Sequence, residues 1–72
     1  MASPDWIIYT RSEPYCVWCE RTKILLKGQK IPYEEIDIST LKKFSYSTVP
    51  QVFYKDEHIG GYEKTKEFLL GH

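Results

Sequence analysis

The pattern of apolar and polar residues in the first half of the chain predicts a strand, a helix and a second strand. Residues 6–10 form a short run of β-branched and aromatic side chains bounded by polar residues, which indicates a buried strand. Residues 17–27 contain no Gly or Pro and are rich in helix formers, and Gly28 is a suitable stop. In residues 33–38, isoleucines alternate with charged residues, as in a strand with one wet face.

The second half of the chain predicts a short helix, a hairpin and a final helix. Ser39 is a suitable cap for a helix that runs to Phe44. Residues 51–59 predict two strands around a turn at 55–57, and a Gly-Gly pair then precedes helical spacing in residues 62–70. Two strands joined by a helix imply a parallel crossover, whereas a hairpin adds antiparallel pairing. We therefore expect an α/β fold with a mixed sheet.

Composition narrows the classes of protein to which the chain can belong. A chain of 72 residues has room for one core, so we interpret residues 1–72 as a single domain. Ten basic and ten acidic residues cancel, which leaves no net field to attract nucleic acid or anionic lipid. No apolar run approaches the roughly 20 residues that span a bilayer, and the first residues do not have the pattern of a secretory signal. We expect a cytoplasmic protein that binds neither nucleic acid nor membranes.

The two cysteines of the chain lie three residues apart at the predicted start of the first helix. Helix positions at this spacing lie about 5–6 Å apart, a separation that a disulfide tolerates. The backbone amides and dipole at a helix start favour a thiolate, so Cys16 is the predicted nucleophile. Cys19, one turn further into the helix, is the predicted resolving thiol.

Two other uses of a cysteine pair are possible. A structural disulfide closing so short a loop would contribute only about 2 kcal/mol and is disfavoured in a reducing compartment. A zinc site needs about four ligands, and His58 and His72 match no common zinc spacing. A redox pair is therefore preferred, and no metal is expected.

Three further features suggest a ligand site, although each has a plain structural alternative. Pro50 can simply begin a strand, but a cis Val49-Pro50 bond would present the Val49 backbone to an extended peptide. Gly60-Gly61 can be an ordinary turn, but it also opens a helix whose N-terminus suits a carboxylate. Arg11 can be a solvated charge or can hold a second carboxylate.

Together these segments resemble the glutaredoxins over essentially the whole chain. The resemblance is carried, in order, by Ile8-Tyr9-Thr10, Cys16-Val17-Trp18-Cys19, Ile31-Pro32-Tyr33-Glu34-Glu35-Ile36-Asp37, Thr48-Val49-Pro50-Gln51-Val52-Phe53 and Ile59-Gly60-Gly61-Tyr62. It implies a thioredoxin-like fold, in which a four-stranded mixed sheet has its first strand in the centre, its second at an edge and helices on both faces.

The resemblance also implies a reaction and a site. Glutathione would be the reducing co-substrate for glutathione mixed disulfides and protein disulfides, with Cys16 and Cys19 as catalytic residues. The residues expected to bind glutathione are Arg11, Trp18, Thr48, Val49, Pro50, Gly61, Tyr62 and Glu63. The expected partners are glutathione and proteins that carry disulfides or glutathione, possible targets including ribonucleotide reductase, and a monomer is expected.

The chain departs from the usual family pattern beside the nucleophile. Family members commonly have Cys-Pro-Tyr-Cys, and the basic residue often found three positions before the nucleophile is Glu13 in this chain. An acidic group there opposes both a thiolate and a bound carboxylate. This departure favours one alternative, a glutathione-independent, thioredoxin-like electron donor. Two others also stay open: a module that binds an iron–sulfur cluster, and a pure interaction domain of the same fold.

Overall fold

Four strands and two α-helices are formed by residues 4–71, which are the residues that the computed structural model describes. Their order matches the predicted order, with a short 3₁₀ helix between the second and third strands. The elements are β1 (Trp6–Thr10), α1 (Val17–Gly28), β2 (Tyr33–Asp37), the 3₁₀ helix (Ile38–Thr40), β3 (Gln51–Tyr54), β4 (Glu57–Gly60) and α2 (Tyr62–Leu70).

The strands form one mixed sheet in the order β2-β1-β3-β4. β1 pairs in parallel with β2, which places Trp6 opposite Tyr33, and pairs antiparallel with β3. β3 and β4 form an antiparallel hairpin. The prediction of a mixed sheet with the first strand central and the second at an edge is confirmed.

One face of the sheet carries the hydrophobic core. Alternate residues of β1 point to the same side, so Trp6 and Ile8 share a face. They are buried with Leu26 of α1 and Val52 of β3, and Phe68 of α2 packs against this cluster. Both α-helices therefore cover the same face of the sheet.

The opposite face is covered by an irregular segment instead of a helix. Tyr9 of β1 contacts Phe44 and Phe53, with ring centroids 5.6 Å apart in both pairs. Phe44 and Tyr46 belong to the segment between the 3₁₀ helix and β3, and Tyr46 also packs against Phe53. The expectation of helices on both faces is therefore wrong for this chain.

The predicted helix from Ser39 to Phe44 is also wrong, because the chain forms only one short turn there. Asp37 is the N-cap of the 3₁₀ helix, which begins at the next residue, Ile38, and its carboxylate accepts a hydrogen bond from the Ser39 amide at 2.9 Å. The turn ends at Leu41, which has an extended conformation. Asp side chains favour such local turns over longer helices because they bond nearby backbone amides.

The turn of the β3–β4 hairpin is tighter than predicted. Lys55 and Asp56 both have positive φ, 49° and 67°, and β4 begins at Glu57. Left-handed conformations at both central positions match the twist of two-residue hairpins. The turn thus occupies residues 55–56, and Glu57 belongs to the strand.

Candidate active site

Cys16 occupies the N-cap position of α1 and is joined to Cys19 by a disulfide. Cys16 has an extended backbone, with φ −116° and ψ 102°, and its Sγ accepts a hydrogen bond from the Cys19 amide at 3.1 Å. The two Cα atoms lie 5.3 Å apart, so the cysteines have the spacing predicted for a redox pair. The sulfur of Cys16 thus takes the place that a capping oxygen has at other helix starts.

The loop before Cys16 is anchored to the end of β2. The Ser12 hydroxyl donates a hydrogen bond of 2.6 Å to the Asp37 carboxylate. Hydrogen bonds from the Ser12 side chain and the Ser39 amide lower the pKa of Asp37, because they favour its charged form. Arg11 points back into the same loop, where its Nε donates to the Pro14 carbonyl oxygen at 3.0 Å.

A groove of about 300 Å³ runs alongside the disulfide, between the start of β3 and the start of α2. The Sγ of Cys16 lies 3.9 Å from the Val49 carbonyl oxygen, so the sulfur borders this groove. The Val49–Pro50 peptide bond is cis. The groove is lined by Trp18, Thr48, Val49, Pro50, Gln51, Gly61, Tyr62, Glu63 and Lys64.

One wall of the groove is aromatic. Trp18 projects from the first turn of α1 and is 49% exposed, and its ring lies 5.5 Å from the ring of Tyr62. The Arg21 guanidinium lies over Trp18 at 4.9 Å from the ring centroid, a cation–π contact on the exposed side. The two rings bring the starts of α1 and α2 together beside the cysteine pair.

The other end of the groove is the N-terminus of α2. Gly61 is its N-cap and has no side chain to bond the first-turn amides. A Cβ added at Gly61 would lie 3.6 Å from the Pro50 carbonyl oxygen, so the helix start approaches the Pro50 backbone closely. Free amides and the helix dipole make such a start favourable for an anion, as the sequence predicts.

The structure brings together every residue predicted to bind glutathione except Arg11. Arg11 does not line the groove, because its guanidinium is engaged with the Pro14 carbonyl. Sequence reasoning missed Gln51 and Lys64, which do line it. Their positions could have identified them, because Gln51 follows Pro50 directly and Lys64 lies in the first turn of the predicted anion-binding helix.

The part of the chain that the structure describes contains no group of three or more His, Cys, Asp or Glu side chains arranged to hold a metal ion. His58 lies on β4, where its ring stacks on Tyr46, and His72 is outside the described residues. Among the same residues, no helix is long and apolar enough to cross a membrane.

Comparisons with known proteins agree with the geometry of the site. Residues 7–59 match the glutaredoxin family model. The chain is 38% identical over 65 residues to glutaredoxin 1 of Rickettsia prowazekii, a match that covers 76% of this chain and 66% of the relative. It is 34% identical over 62 residues to glutaredoxin 3 of Escherichia coli, which covers 75% and 72% of the two chains. The chain thus spans about two thirds of the length of these relatives.

A solved structure of similar fold is that of a buckwheat glutaredoxin in complex with glutathione. The TM-score is 0.75 at 24% sequence identity, and the match covers 94% of this chain and 71% of the buckwheat chain. The four-stranded mixed sheet with its two helices is therefore the thioredoxin-like arrangement of these proteins.

Proposed function

Because the chain belongs to the glutaredoxin family, we propose that it uses glutathione to reduce glutathione mixed disulfides and protein disulfides. The family implies a thiol–disulfide oxidoreductase, and a cysteine pair joined by a disulfide suits that chemistry. The observation that carries the proposal is the position of the Cys16 sulfur, at a helix N-terminus and on the edge of a groove.

The reaction begins with the reduced form of the pair. The Cys16 thiolate attacks the glutathione sulfur of a mixed disulfide, which forms a Cys16–glutathione disulfide and releases the target thiolate, which then takes up a proton. A second glutathione thiolate attacks that disulfide, which releases oxidised glutathione and regenerates the Cys16 thiolate. The amide of Cys19, which already points at the Cys16 sulfur, stabilises the negative charge.

Protein disulfides require the second cysteine. After Cys16 has formed a mixed disulfide with a target protein, the Cys19 thiolate attacks the Cys16 sulfur and the target leaves as a thiolate. The product is the Cys16–Cys19 disulfide found in this structure. Both cysteines are buried, with 5% of Cys16 and 2% of Cys19 exposed, and it is the Cys16 sulfur that lies beside the groove, 3.9 Å from the Val49 carbonyl oxygen.

The groups along the groove support glutathione as the ligand. Glutathione is a tripeptide with an extended backbone, and the backbone of Val49 lies beside the Cys16 sulfur, where the cysteinyl residue of glutathione would pair with it. The start of α2 would take the α-carboxylate of the γ-glutamyl end, and Glu63 would take its ammonium group. The buckwheat glutaredoxin, whose fold is similar, has been solved with glutathione.

The proposal is tested by measuring glutathione-coupled disulfide reduction by the wild type and by two variants, Cys16→Ser and Cys19→Ser. We expect the Cys16→Ser variant to lose all turnover, because it lacks the attacking thiolate. We expect the Cys19→Ser variant to keep reduction of a glutathionylated peptide and to lose reduction of an intramolecular protein disulfide. Equal activity of both variants on the glutathionylated peptide would contradict these roles.

A thioredoxin-like donor that does not use glutathione is the second candidate. It is favoured by the position of Arg11, the residue expected to hold a second carboxylate, which bonds Pro14 and does not line the groove. Reduction of the Cys16–Cys19 disulfide by thioredoxin reductase, together with no reduction by glutathione, would support this candidate and refute the first.

A further inference from the structure

A series of hydrogen bonds links the groove to a histidine on β4. The amide nitrogen of Gln51 donates to the Thr48 carbonyl oxygen at 3.1 Å and to the Thr48 hydroxyl oxygen at 3.2 Å. The other end of the same amide, Oε1, lies 2.7 Å from Nε2 of His58. Thr48 and Gln51 line the groove, whereas His58 does not. Gln51 is buried, with 8% of its surface exposed.

The direction of each hydrogen bond follows from the groups involved. The Thr48 carbonyl oxygen can only accept, so the amide nitrogen of Gln51 must face it and Oε1 must face His58. Oε1 can also only accept, and His58 must therefore carry a proton on Nε2. The Thr48 carbonyl oxygen and the Nε2–H of His58 thus favour the same orientation of the Gln51 amide, and both bonds hold the amide in it.

Aromatic contacts hold the imidazole in place. The Tyr46 ring stacks on it, with centroids 4.8 Å apart and an interplanar angle of 27°. Phe53 of β3 contacts it with centroids 5.0 Å apart. His58 itself is exposed, and these two contacts favour the ring orientation that points Nε2 at Gln51.

The rim of the groove at Thr48 depends on these side chains. Within the described residues, no backbone–backbone hydrogen bond outside the helices and strands involves residues 42–49. The two bonds from Gln51 are therefore the ones that tie the Thr48 backbone and side chain to β3. Thr48 directly precedes Val49, whose carbonyl oxygen lies 3.9 Å from the Cys16 sulfur.

We propose that His58 is a positioning residue: by orienting the Gln51 amide it holds Thr48 and Val49 in the place where they bind the glutathione part of the substrate. This inference rests on the proposed function, because it assigns a binding role within the same groove. It concerns the affinity for glutathione and not the sulfur chemistry, since His58 does not touch the cysteines.

Two substitutions separate the hydrogen bond from the packing. His58→Phe keeps an aromatic ring but has no donor, whereas His58→Gln keeps an amide donor but has no ring. For a glutathionylated peptide, we expect His58→Phe to raise KM about three- to tenfold, as for the loss of one hydrogen bond, with kcat within about twofold. We expect the KM of His58→Gln to stay within about twofold of the wild-type value.

A double variant tests whether His58 acts through Gln51. Gln51→Ala alone should raise KM, and addition of His58→Phe should raise it no further, because the two changes remove the same connection. Additive effects would overturn the inference. So would a wild-type KM in His58→Phe, or an equal rise in His58→Phe and His58→Gln.

A measurement without glutathione keeps this inference separate from the proposed function. In NMR spectra we expect nuclear Overhauser contacts between the Gln51 side-chain amide and Thr48 in the wild type and in His58→Gln, and their loss in His58→Phe. If the wild type shows no glutathione-dependent turnover, the proposed function fails, and these contacts still decide the role of His58. Unchanged contacts in His58→Phe would overturn the inference, and urea unfolding of each variant checks that it is folded.

Discussion

Two neighbouring glycines at the start of α2 have different roles, and alanine substitutions should separate them. Gly60 has φ +129°, and a Cβ added there would lie 3.0 Å from both Cβ and Cγ of Lys64. Gly61 has φ −87°, an ordinary value, and its added Cβ would be in normal van der Waals contact with the Pro50 carbonyl oxygen at 3.6 Å. The first position therefore needs glycine for backbone conformation, and the second only for open space in the groove.

The expected magnitudes follow from these geometries. A side chain at the φ of Gly60 costs about 1–3 kcal/mol, and the Lys64 Cβ cannot rotate away because it is attached to the helix backbone. Gly60→Ala should therefore lower the free energy of unfolding by about 1–3 kcal/mol, or the Tm by roughly 4–24 °C for a domain of this size. Gly61→Ala should change the free energy of unfolding by less than about 0.5 kcal/mol but raise KM for a glutathionylated substrate.

Urea unfolding of the reduced proteins measures the free energies, and Gly28→Ala is the matched control. Gly28 ends α1, and a Cβ added there has no atom within 4 Å. Alanine at this position should stabilise the protein by about 0.5–1 kcal/mol, because it lowers the entropy of the unfolded chain. The assignment of different roles to the two glycines would be refuted if Gly60→Ala had the wild-type free energy of unfolding, or if Gly61→Ala lost as much of it as Gly60→Ala.

Two further predictions concern the core and the loop before the nucleophile. Leu26 is fully buried, so Leu26→Ala should lower the free energy of unfolding by about 2–5 kcal/mol. Ile24 is 66% exposed, so Ile24→Ala should change it by less than about 0.5 kcal/mol. Similar losses for the two variants on urea unfolding would contradict the placement of α1. Hydrogen bonds from Ser12 and Ser39 lower the pKa of Asp37 from 3.8, so its contribution to stability is present above pH 3.8 and is lost as the pH falls through the lowered pKa. The difference in unfolding free energy between the wild type and Asp37→Asn should therefore shrink in acid, and a difference that does not change with pH would contradict this coupling.

The chemistry of the cysteine pair could be predicted from the sequence because it depends on local structure. A helix that starts after Cys16 brings Cys19 within one turn, and the Cα separation of 5.3 Å follows from helix geometry alone. The helix of residues 62–70 was predictable for the same reason, since its apolar spacing and the preceding glycines are neighbours in sequence. The helix predicted for residues 39–44 does not form, because Asp37 caps a shorter turn there, so local sequence signals alone do not always identify the element.

The residues carried over from the glutaredoxin motifs line one groove, with Arg11 as the exception, and their binding of glutathione stays a prediction. The motifs mark backbone features, namely the segment before β3 and the start of α2, and those features are found on opposite sides of one groove. A motif does not specify the direction of a long side chain, because Arg11 could extend either to the groove or to its own loop. Only the folded loop shows that it bonds Pro14.

The sequence by itself determined the order of the elements, the redox pair and the family, since each of these is encoded in residues close together along the chain. The tertiary structure alone decided that both α-helices share one face and that aromatic residues of an irregular segment cover the other. It also decided that the His58 ring, seven residues along the chain from Gln51, lies within hydrogen-bond distance of the Gln51 side-chain amide. That amide in turn bonds Thr48 at the rim of the groove. These contacts depend on strand pairing and on packing between distant segments, which local spacing does not specify.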